Sequence, residues 1–426
     1  MGKGKDQNNP DVIIIGAGAA GLFAAKILSE NGLATTVLER NPKAGKKLLM
    51  TGNGKGNLTN LYWDETCYHS EDADRVKQVL TDFSPMDTMA AFEAMGCMLY
   101  ERDGYVYPVT NQAQTLRDLL VYNCQKNGGV FSYDTFVTDI HREKNGFVVQ
   151  CEHDIFKAPV VLLSSGGKSY PKTGSDGSMY SIVGGFGHKI RPPQPALCGL
   201  CVTDGHLKIA DGVRVTGKVS LNVNGTFLEE YEGELQIHKD FISGIPIMCL
   251  SSPACRAIAD KKEVRLHIDL MTGYTLKELT AFLLERKQFF SAPGTTFGDY
   301  VSGLLHYKIM SYLALHCGVS NADRLKELPD AVFEKLAKEL KDLTFAVTKG
   351  KDYDSAQTTS GGVLLHEVND TMESVKVPGL YFAGEILDAD GICGGYNLQW
   401  AFSTASLAAK GIIHKAQTGS LYTQIL

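Results

Sequence analysis

Hydrophobic and polar positions over residues 1–40 follow the pattern of a βαβ unit. An apolar, β-branched run at 11–15 predicts a buried strand, and the small-residue stretch from about Ala19 to Ser29 predicts a helix. An Asn-Gly pair then ends the helix, and an apolar run at 34–38 predicts a second strand. Two strands joined by a helix in this way indicate the beginning of a parallel sheet.

The same patterns predict elements along the rest of the chain. Helices are expected over about 74–95, 112–127 and 396–416. Short strands are expected at 97–107, 130–133, 136–141, 147–151 and 160–163. We expect those between 129 and 163 to form a small antiparallel meander that leads into a buried strand. Residues 197–270 are rich in predicted strands, and residues 275–345 are helical and charged.

Glycine-rich segments lie near both ends of the chain, which predicts one nucleotide-binding domain built from two parts. A proline-rich stretch at 192–195 marks the start of an insertion between them. The predicted boundaries are 1–193 for the first part of the nucleotide-binding domain, 194–273 for a β-rich insertion, 274–345 for a helical part of that insertion and 346–426 for the second part.

Composition restricts the class of protein further. The 426 residues include 44 glycines but only 14 prolines, and the net charge is −6. This charge disfavours binding to nucleic acid or to an anionic membrane surface. The longest apolar stretch, 12–25, is broken by glycines and is too short to span a bilayer. Ten cysteines without regular spacing favour the reducing cytoplasm, and nothing in the sequence predicts an oligomeric state.

The turn between the first predicted strand and helix has the sequence Gly-Ala-Gly-Ala-Ala-Gly, from Gly16 to Gly21. Its glycines allow a tight turn, close approach of a pyrophosphate and close packing of helix against strand, while the helix N-terminus attracts negative charge. Glu39, at the end of the second strand, can accept hydrogen bonds from ribose hydroxyls and disfavours the 2′-phosphate of NADP. Strand, turn, helix and acid together predict a dinucleotide site.

The C-terminal part of the chain favours FAD as that dinucleotide. Residues 379–385 form a predicted strand that ends in Gly384 and Glu385, and a glycine-rich loop then leads to a helix from Tyr396. FAD extends across its domain and needs such a remote segment, whereas a nicotinamide Rossmann domain does not. A second Gly-x-Gly-x-x-Gly motif is missing from the sequence, so NADH or NADPH, if used, would visit the flavin transiently.

Cysteine spacing gives no support to metal or disulfide chemistry. The one Cys-x-x-Cys motif, Cys198 to Cys201, lies in a predicted strand, where side chains three positions apart point to opposite faces. We therefore interpret these two residues as structural and predict no metal site.

Five segments carry a resemblance to a known family: 12–21, 45–60, 166–177, 359–363 and 379–401. They resemble the aminoacetone-oxidase-like bacterial flavoproteins, a family that also includes the flavoprotein reductase of bile-acid 7-dehydroxylation. The resemblance implies an α/β protein with a glutathione-reductase-type FAD-binding Rossmann domain, an inserted β-barrel-like domain and a helical domain.

The resemblance also implies which residues contact the cofactor. They are Gly16, Gly18, Ala19, Ala20, Gly21, Glu39, Arg40, Lys47, Thr51, Gly52, Asn53, Asn57, Leu58, Val137, Ser165, Gly166, Gly384, Glu385, Asp388, Gly395, Tyr396, Asn397 and Leu398. Related sequences usually have a cysteine where this chain has Gly56, so no thiol is expected beside the flavin there. The helix that begins near Gly395 is expected to direct N–H groups at the reduced ring.

We therefore expect an FAD-dependent oxidoreductase that transfers hydride at flavin N5 and acts on a small molecule. Within the resemblance, two reactions compete: NAD(P)H-dependent reduction of a conjugated C=C bond in an enone resembling a 3-dehydro-bile acid, and oxidation of an amine such as aminoacetone with release of peroxide. A flavin-dependent RNA-modifying protein is a third possibility, which the acidic balance disfavours. Tyr170, His238 and Thr359 are the candidate catalytic residues, each able to donate a proton or a hydrogen bond.

Overall fold

A computed structural model describes residues 9–144, 146–290 and 292–419. The chain forms two compact units, Met1–Pro193 with Tyr353–Leu426 (unit 1) and Gln194–Asp352 (unit 2). Each unit has its own hydrophobic core. Residues 346–352 belong to unit 2, whereas the sequence analysis assigns them to the nucleotide-binding domain.

The elements are numbered in chain order. The helices are α1 (Ala19–Glu30), α2 (Ala73–Asp82), α3 (Pro85–Ala94), α4 (Ala113–Lys126), α5 (Met179–Gly185), α6 (Ile245–Ala259), α7 (Leu276–Phe289), α8 (Phe297–Val301), α9 (Tyr307–Cys317), α10 (Asp330–Lys341) and α11 (Tyr396–Gln417). The strands are β1 (Val12–Ile15), β2 (Thr35–Leu38), β3 (Thr59–Asn60), β4 (Tyr68–His69), β5 (Leu99–Arg102), β6 (Tyr105–Pro108), β7 (Val130–Ser132), β8 (Val137–Glu143), β9 (Gly146–Cys151), β10 (Ile155–Ala158), β11 (Val160–Leu163), β12 (Ile190–Ala196), β13 (Leu200–Val202), β14 (Arg214–Val223), β15 (Thr226–Ile237), β16 (Phe241–Ser243), β17 (Val264–Asp269), β18 (Leu343–Gly350), β19 (Thr358–Val363), β20 (Leu380–Phe382) and β21 (Asp390–Gly391).

Unit 1 is built on a parallel sheet with the strand order β20-β11-β1-β2-β7. Its central strand β1 is buried along its whole length, which explains the uninterrupted apolar run at this position. Because the strands are parallel, the residues that follow β1, β2, β11 and β20 meet at one edge of the sheet. That edge is where ligands bind in open α/β sheets.

Two expectations for unit 1 need correction. Strand β7 was expected in the antiparallel meander but pairs in parallel with β2, and the meander consists of β8, β9 and β10. The helix expected over 74–95 is two helices, because Ser84 caps α3 through a capping box with Asp87. Pro85, which has no N–H group, then occupies the first turn of α3. The helices α1, α4 and α11 lie where the sequence predicts them.

Unit 2 contains a closed barrel with the strand order β13-β16-β15-β14-β17-β18 and the helices α6 to α10. The barrel closes through β18, which pairs with both β17 and β13. Helix α6 lies inside the region expected to be rich in strands. Its sequence contains Pro246 in the first turn and Pro253 in the interior, residues that weaken a helical pattern.

The cysteines of the Cys-x-x-Cys motif have different surroundings in unit 2. Cys201 lies on β13, whereas Cys198 precedes the strand and is buried. A hydrogen bond with Cys255 of α6 is the main cause that lowers the pKa of the Cys198 thiol. Within the described residues, no group of three or more His, Cys, Asp or Glu side chains is arranged to hold a metal ion. In the described parts of the chain, no helix is long and apolar enough to cross a membrane.

Candidate cofactor-binding site

The turn after β1 and the acid after β2 are joined by a direct hydrogen bond. The amide N–H of Gly16 donates to the carbonyl of Leu38 at 2.8 Å, and that of Ala17 donates to Oε2 of Glu39 at 2.9 Å. Oε1 of Glu39 accepts hydrogen bonds from the backbone and side-chain nitrogens of Asn41 at 2.8 and 2.6 Å. The carboxylate is therefore held at the edge of the sheet beside the glycine turn, as its spacing predicts.

The three glycines of the turn have different surroundings. A Cβ atom built on Gly21 would lie 2.0 Å from the carbonyl oxygen of Gly16, and one built on Gly16 would lie 2.7 Å from the carbonyl oxygen of Ser164. A Cβ atom on Gly18, in contrast, has no atom of the described residues within 4 Å. Gly16 and Gly21 therefore allow close packing, while Gly18 leaves open space in front of the N-terminus of α1. This space and the helix N-terminus fit a pyrophosphate.

The C-terminal segment lies directly against the glycine turn. Gly384, which follows β20, has a φ of +78°, and a Cβ atom built on it would lie 3.0 Å from Cβ of Ala20 and 3.8 Å from Cβ of Ala401. The Trp400 indole donates a hydrogen bond to the carbonyl of Gly384 at 3.3 Å. Helices α1 and α11 thus approach this glycine from two sides, and the two distant parts of the predicted site meet here.

A carboxylate connects three further segments of unit 1. Oε2 of Glu385 accepts a hydrogen bond from Nζ of Lys47 at 2.6 Å, and Oε1 accepts one from the backbone N–H of Thr359 at 2.9 Å. The Thr359 hydroxyl accepts hydrogen bonds from the N–H groups of Lys168 and Ser169 at 2.7 and 2.9 Å. Strand β19 and the loops that carry the other four residues are therefore held together by one polar network.

The loop after Lys47 presents backbone to the surface. Gly52, Asn53 and Gly54 have φ values of +56°, +54° and +83°, so three consecutive residues are left-handed. The Thr51 hydroxyl donates to the carbonyl of Leu48 at 2.7 Å and fixes the start of this loop. Together with Thr51, Gly52 and Asn53 interrupt the 3-10 helix Leu48–Gly54, and the run leaves polar backbone groups exposed to a ligand.

The N-terminus of α11 is held by two asparagines. With its amide oriented to satisfy both neighbours, Asn57 accepts a hydrogen bond from the N–H of Gly395 and donates one to the carbonyl of Thr59, each at 3.2 Å. Asn397 accepts a hydrogen bond from the N–H of Gly391 at 2.9 Å and donates one to its carbonyl at 2.8 Å. Gly395, with a φ of +95°, caps the helix in the position expected from the sequence.

The remaining predicted residues near α11 are buried. Asp388 accepts a hydrogen bond from the N–H of Glu71 at 3.2 Å through its side chain. The hydroxyl of Tyr396 donates to the carbonyl of Tyr62 at 2.8 Å, and burial raises its pKa well above the usual range, so the side chain stays neutral. Leu58, on the loop that leads to β3, is fully buried, and Leu398 is buried in α11.

The residues predicted for the adenosine end lie around the end of β2. Nη1 of Arg40 forms an ion pair with Asp176 at 2.5 Å, and its guanidinium lies 4.5 Å from the centre of the Phe136 ring. Val137 is buried at the start of β8. After β11, Ser165 and Gly166 continue the chain, and Gly166 has a φ of +76°.

The three candidate catalytic residues have unequal surroundings. Thr359 is buried and, besides accepting two N–H groups, donates its hydroxyl proton to Ser169 at 3.1 Å, so its hydrogen-bonding capacity is used within the protein. Tyr170 is half-buried and left-handed, with a φ of +55°. His238 belongs to unit 2, where its ring stacks on Phe241 and Nε2 lies 3.1 Å from the Ser243 hydroxyl.

One residue of the region gave no signal in the sequence. The hydroxyl of Tyr180, on α5, is buried and has no hydrogen-bond partner among the residues that the structure describes. Burial raises its pKa well above the usual range, and the nearby carboxylates of Glu385 and Asp388 add to the shift. A neutral donor beside the site's carboxylates, without a partner of its own, fits a bound polar group.

Gly56 lies where the structure has no room for a side chain. Its φ is +75°, and a Cβ atom built on it would lie 2.8 Å from Cα of Ala113 and 3.0 Å from Cδ1 of Leu116. A cysteine at this position would require α4 to move away.

Comparison with known proteins gives a consistent family. The model of the family described as "HI0933-like protein Rossmann domain" matches residues 10–411. The chain is 35% identical over 404 residues to a 3-dehydro-bile acid delta(4,6)-reductase of Clostridium scindens, covering 93% of this chain and 97% of that protein. It is 28% identical over 409 residues to a ribosomal RNA dihydrouridine synthase of Escherichia coli, covering 95% and 98%.

One solved structure supports the fold. The 3-ketosteroid delta1-dehydrogenase of Sterolibacterium denitrificans matches with a TM-score of 0.51 and 12% identity, over 96% of this chain and 100% of that one. The fold and the site define a flavoprotein oxidoreductase with a Rossmann-type FAD-binding domain. The chain belongs to the HI0933-like family, which confirms the predicted fold class and the resemblance to bacterial flavoproteins.

Proposed function

We propose that FAD lies along the edge of the unit 1 sheet, from the adenosine end near Glu39 to the N-terminus of α11. The open space at Gly18, the N-terminus of α1 and the unpartnered Tyr180 hydroxyl support this placement. The residues proposed to contact it are Gly16, Gly18, Ala19, Ala20, Gly21, Glu39, Arg40, Lys47, Thr51, Gly52, Asn53, Asn57, Leu58, Val137, Ser165, Gly166, Gly384, Glu385, Asp388, Gly395, Tyr396, Asn397 and Leu398.

The residues of the site have distinct tasks in this proposal. When bound, FAD supplies hydride transfer at N5. The N-terminus of α11, held by Asn57, offers backbone donors and positive potential where negative charge develops. Lys47 adds a cation, and Glu385 fixes its position. Thr359 acts as a positioning residue, because its hydroxyl is engaged within the protein.

We further propose that the enzyme reduces a C=C bond conjugated with a carbonyl in a small enone, with NADH or NADPH as the electron donor. The observation that carries this proposal is the 35% identity, over nearly the whole length of both chains, to a 3-dehydro-bile acid delta(4,6)-reductase. The reaction adds a hydride to one carbon and a proton to the other. Tyr170 and His238 stay the candidate proton donors, and the substrate would be similar to a 3-dehydro-bile acid.

Anaerobic flavin spectra test this reaction directly. The purified, FAD-loaded protein is mixed with NADH, NADPH or aminoacetone, and the loss of the oxidised flavin band is followed. We expect rapid reduction by a nicotinamide and reoxidation by a 3-oxo-4,6-diene steroid. Reduction by aminoacetone alone, with peroxide released in air, would establish the amine oxidase instead.

A second candidate is the same bond reduction on uridine in RNA. It is favoured by the 28% identity to the ribosomal RNA dihydrouridine synthase over 95% of this chain. The C=C bond of uracil is also conjugated with a carbonyl, so the hydride chemistry is closely related. The net charge of −6 opposes this candidate, because RNA binding depends on cationic contacts with phosphate. Reoxidation of the reduced enzyme by uridine-containing RNA, but not by the steroid, would favour it.

A further inference from the structure

A group of tyrosines covers one face of the small sheet β3-β6-β5 in unit 1. Tyr105 and Tyr107 are two positions apart on β6 and therefore lie on the same face, while Val106 between them is fully buried on the other face. The side chain of Tyr105 is 37% exposed. The outer face of β6 is thus aromatic and accessible.

Neighbouring residues extend this aromatic face. Tyr100 pairs with Tyr107 across β5 and β6, and their rings stack with centres 5.7 Å apart and planes inclined by 23°. Tyr62, which is 69% exposed, lies over the β5–β6 turn, where Cδ2 of its ring is 2.5 Å from a Cβ atom built on Gly104. We call Tyr62, Tyr100, Tyr105 and Tyr107 the tyrosine platform.

The platform adjoins the candidate cofactor site at two points. A Cβ atom built on Gly52 would lie 3.6 Å from Cε1 of Tyr107, and one built on Gly394 would lie 3.1 Å from Cε1 of Tyr105. Nδ2 of Asn60 also donates a hydrogen bond to the carbonyl of Gly394 at 3.2 Å. The platform therefore borders both the left-handed loop and the N-terminus of α11, two segments that we propose to contact FAD.

We propose that the tyrosine platform binds the ring face of a fused-ring substrate and so selects multi-ring enones over single-ring ones; this rests on the proposed enone reduction. Tyr105 and Tyr107 are about 6.6 Å apart along the strand, and Tyr100 lies about 4.8 Å away on the neighbouring strand. The area that these three residues span is larger than one six-membered ring. Tyrosine offers a large rigid apolar surface with little loss of side-chain entropy.

Charge favours an uncharged ring system over a nucleic acid at this surface. The end of β5 contributes Glu101 and Arg102, the β5–β6 turn contributes Asp103, and Arg102 lies 3.6 Å from the carboxylate of Asp103. This end of the hairpin therefore carries no surplus of positive charge beside the platform. Burial raises the pKa of Tyr107, which keeps its ring neutral as well.

The test uses the full chain loaded with FAD and two probes, androstenedione with four fused rings and cyclohexenone with one. Tyr105→Ser and Tyr107→Ser remove the ring, Tyr105→Phe and Tyr107→Phe keep it, and Tyr122→Ser removes an exposed tyrosine of α4 outside the platform. Dissociation constants are taken from perturbation of the flavin spectrum, and KM and kcat from reduction of each probe. FAD content and melting temperature are measured for every variant.

We expect the serine variants to raise the androstenedione dissociation constant and KM about tenfold or more, with cyclohexenone changed by less than about twofold. The phenylalanine variants and Tyr122→Ser should resemble the wild type. Serine variants that keep FAD and bind androstenedione normally would overturn the platform alone. A wild-type holoenzyme that neither binds nor reduces either probe would overturn the proposed function and the platform with it. Binding of a uridine-rich RNA is measured in parallel. Serine variants that lose affinity for this RNA but not for androstenedione would overturn the assigned substrate class.

If a serine variant does not retain FAD, Tyr62→Ser provides the same comparison. Tyr62 is the most exposed member of the platform, and the contact with Tyr396 is made by its backbone carbonyl, which the substitution leaves in place. A selective loss of androstenedione affinity would support the platform. Unchanged affinity for both probes would overturn it.

Discussion

The ammonium group of Lys47 lies 2.6 Å from Oε2 of Glu385, although the two residues are 338 positions apart in the sequence. The other carboxylate oxygen accepts the N–H of Thr359 at 2.9 Å. One side chain therefore connects the loop after β2, strand β19 and the turn after β20. Since we place the flavin against these segments, the ion pair should determine how well they are arranged for the cofactor.

Replacing Lys47 by methionine should weaken FAD binding. The substitution keeps most of the aliphatic side chain but removes the cation and leaves Glu385 with one of its two hydrogen bonds. We expect the FAD dissociation constant to rise about tenfold, equivalent to about 1.4 kcal/mol. Titration of deflavinated protein with FAD, followed by quenching of flavin fluorescence, measures this.

Lys43→Met is the matched control, because Lys43 is an exposed lysine of the same loop. It should bind FAD as the wild type does. Equal FAD affinity in Lys47→Met and Lys43→Met would show that the ion pair does not contribute to the cofactor site.

Two alanine substitutions in the glycine turn should separate packing from cofactor binding. Gly18 has φ −79° and ψ −169°, a conformation open to alanine, and a methyl group there meets no described atom within 4 Å. The free energy of unfolding of apo Gly18→Ala should therefore stay within about 0.5 kcal/mol of the wild type. FAD affinity should fall about tenfold or more, since the methyl group occupies the space proposed for the pyrophosphate.

Gly21→Ala should show the opposite order of effects. Its Cβ atom would lie 2.0 Å from the carbonyl oxygen of Gly16, so helix and turn must separate. Alanine gains about 1 kcal/mol in helix propensity, but overpacking of this severity costs about 3 kcal/mol or more. Urea unfolding of the two apoproteins makes the comparison. A Gly18→Ala protein with normal FAD affinity would contradict the pyrophosphate position.

Local sequence patterns predicted the elements whose cause is local. Strand β1, helix α1 and the position of Glu39 follow from a buried apolar run, small residues and the spacing of one acid. The break between α2 and α3 depends on the hydrogen bonds of Ser84 with Asp87, which periodicity does not detect. Helix α6 was missed because Pro246 and Pro253 weaken a pattern that its packing in unit 2 overrides.

Contacts between distant segments could not be predicted in the same way. Lys47 and Glu385 were assigned to the cofactor site through the family resemblance, but nothing in their spacing indicates that they form an ion pair. Tyr180 is similar, since only the fold shows that its hydroxyl is buried beside carboxylates. The tyrosines of β6 can be recognised as one surface only when the direction of each side chain and the neighbouring strands of the sheet are known.

The buried His188 should make stability depend on pH. Its Nδ1 lies 3.0 Å from Oε2 of Glu367 and its Nε2 lies 3.0 Å from the Ser374 hydroxyl. Burial lowers the pKa of His188 below its usual value, although Glu367 opposes the shift. As the pH falls through about 6.5, the unfolded chain therefore binds a proton that the native protein does not, and the free energy of unfolding decreases.

Urea unfolding between about pH 7 and pH 5.5 measures this effect, which is limited to about 1.4 kcal/mol per pH unit for one proton. His188→Gln should show a smaller slope in this range, because it does not titrate. The exposed His153→Gln serves as the control and should keep the wild-type slope. Glu367 has a lowered pKa, so its own contribution is lost only at lower pH, outside this range. An unchanged slope in His188→Gln would contradict the assignment.

Two cysteines of unit 2 leave little room for a side chain at Gly350, which lies at the end of β18. A Cβ atom there would lie 2.6 Å from Sγ of Cys255 and 3.1 Å from Sγ of Cys198. Gly350→Ala should therefore lower the free energy of unfolding by about 1–3 kcal/mol through overpacking. Gly273→Ala, where a Cβ atom meets nothing within 4 Å, should have little effect.

A double-mutant cycle distinguishes this clash from a general weakening of the barrel strand. If the closest sulfur atom causes the destabilisation, Cys255→Ala provides room for the new methyl group. The loss of unfolding free energy in Gly350→Ala/Cys255→Ala should then be smaller than the sum of the two single losses by about 1 kcal/mol. Urea unfolding of the four FAD-saturated proteins gives the coupling energy. Additive losses would show that a clash with Cys255 does not cause the destabilisation. A backbone effect of alanine would be the same with or without the sulfur atom.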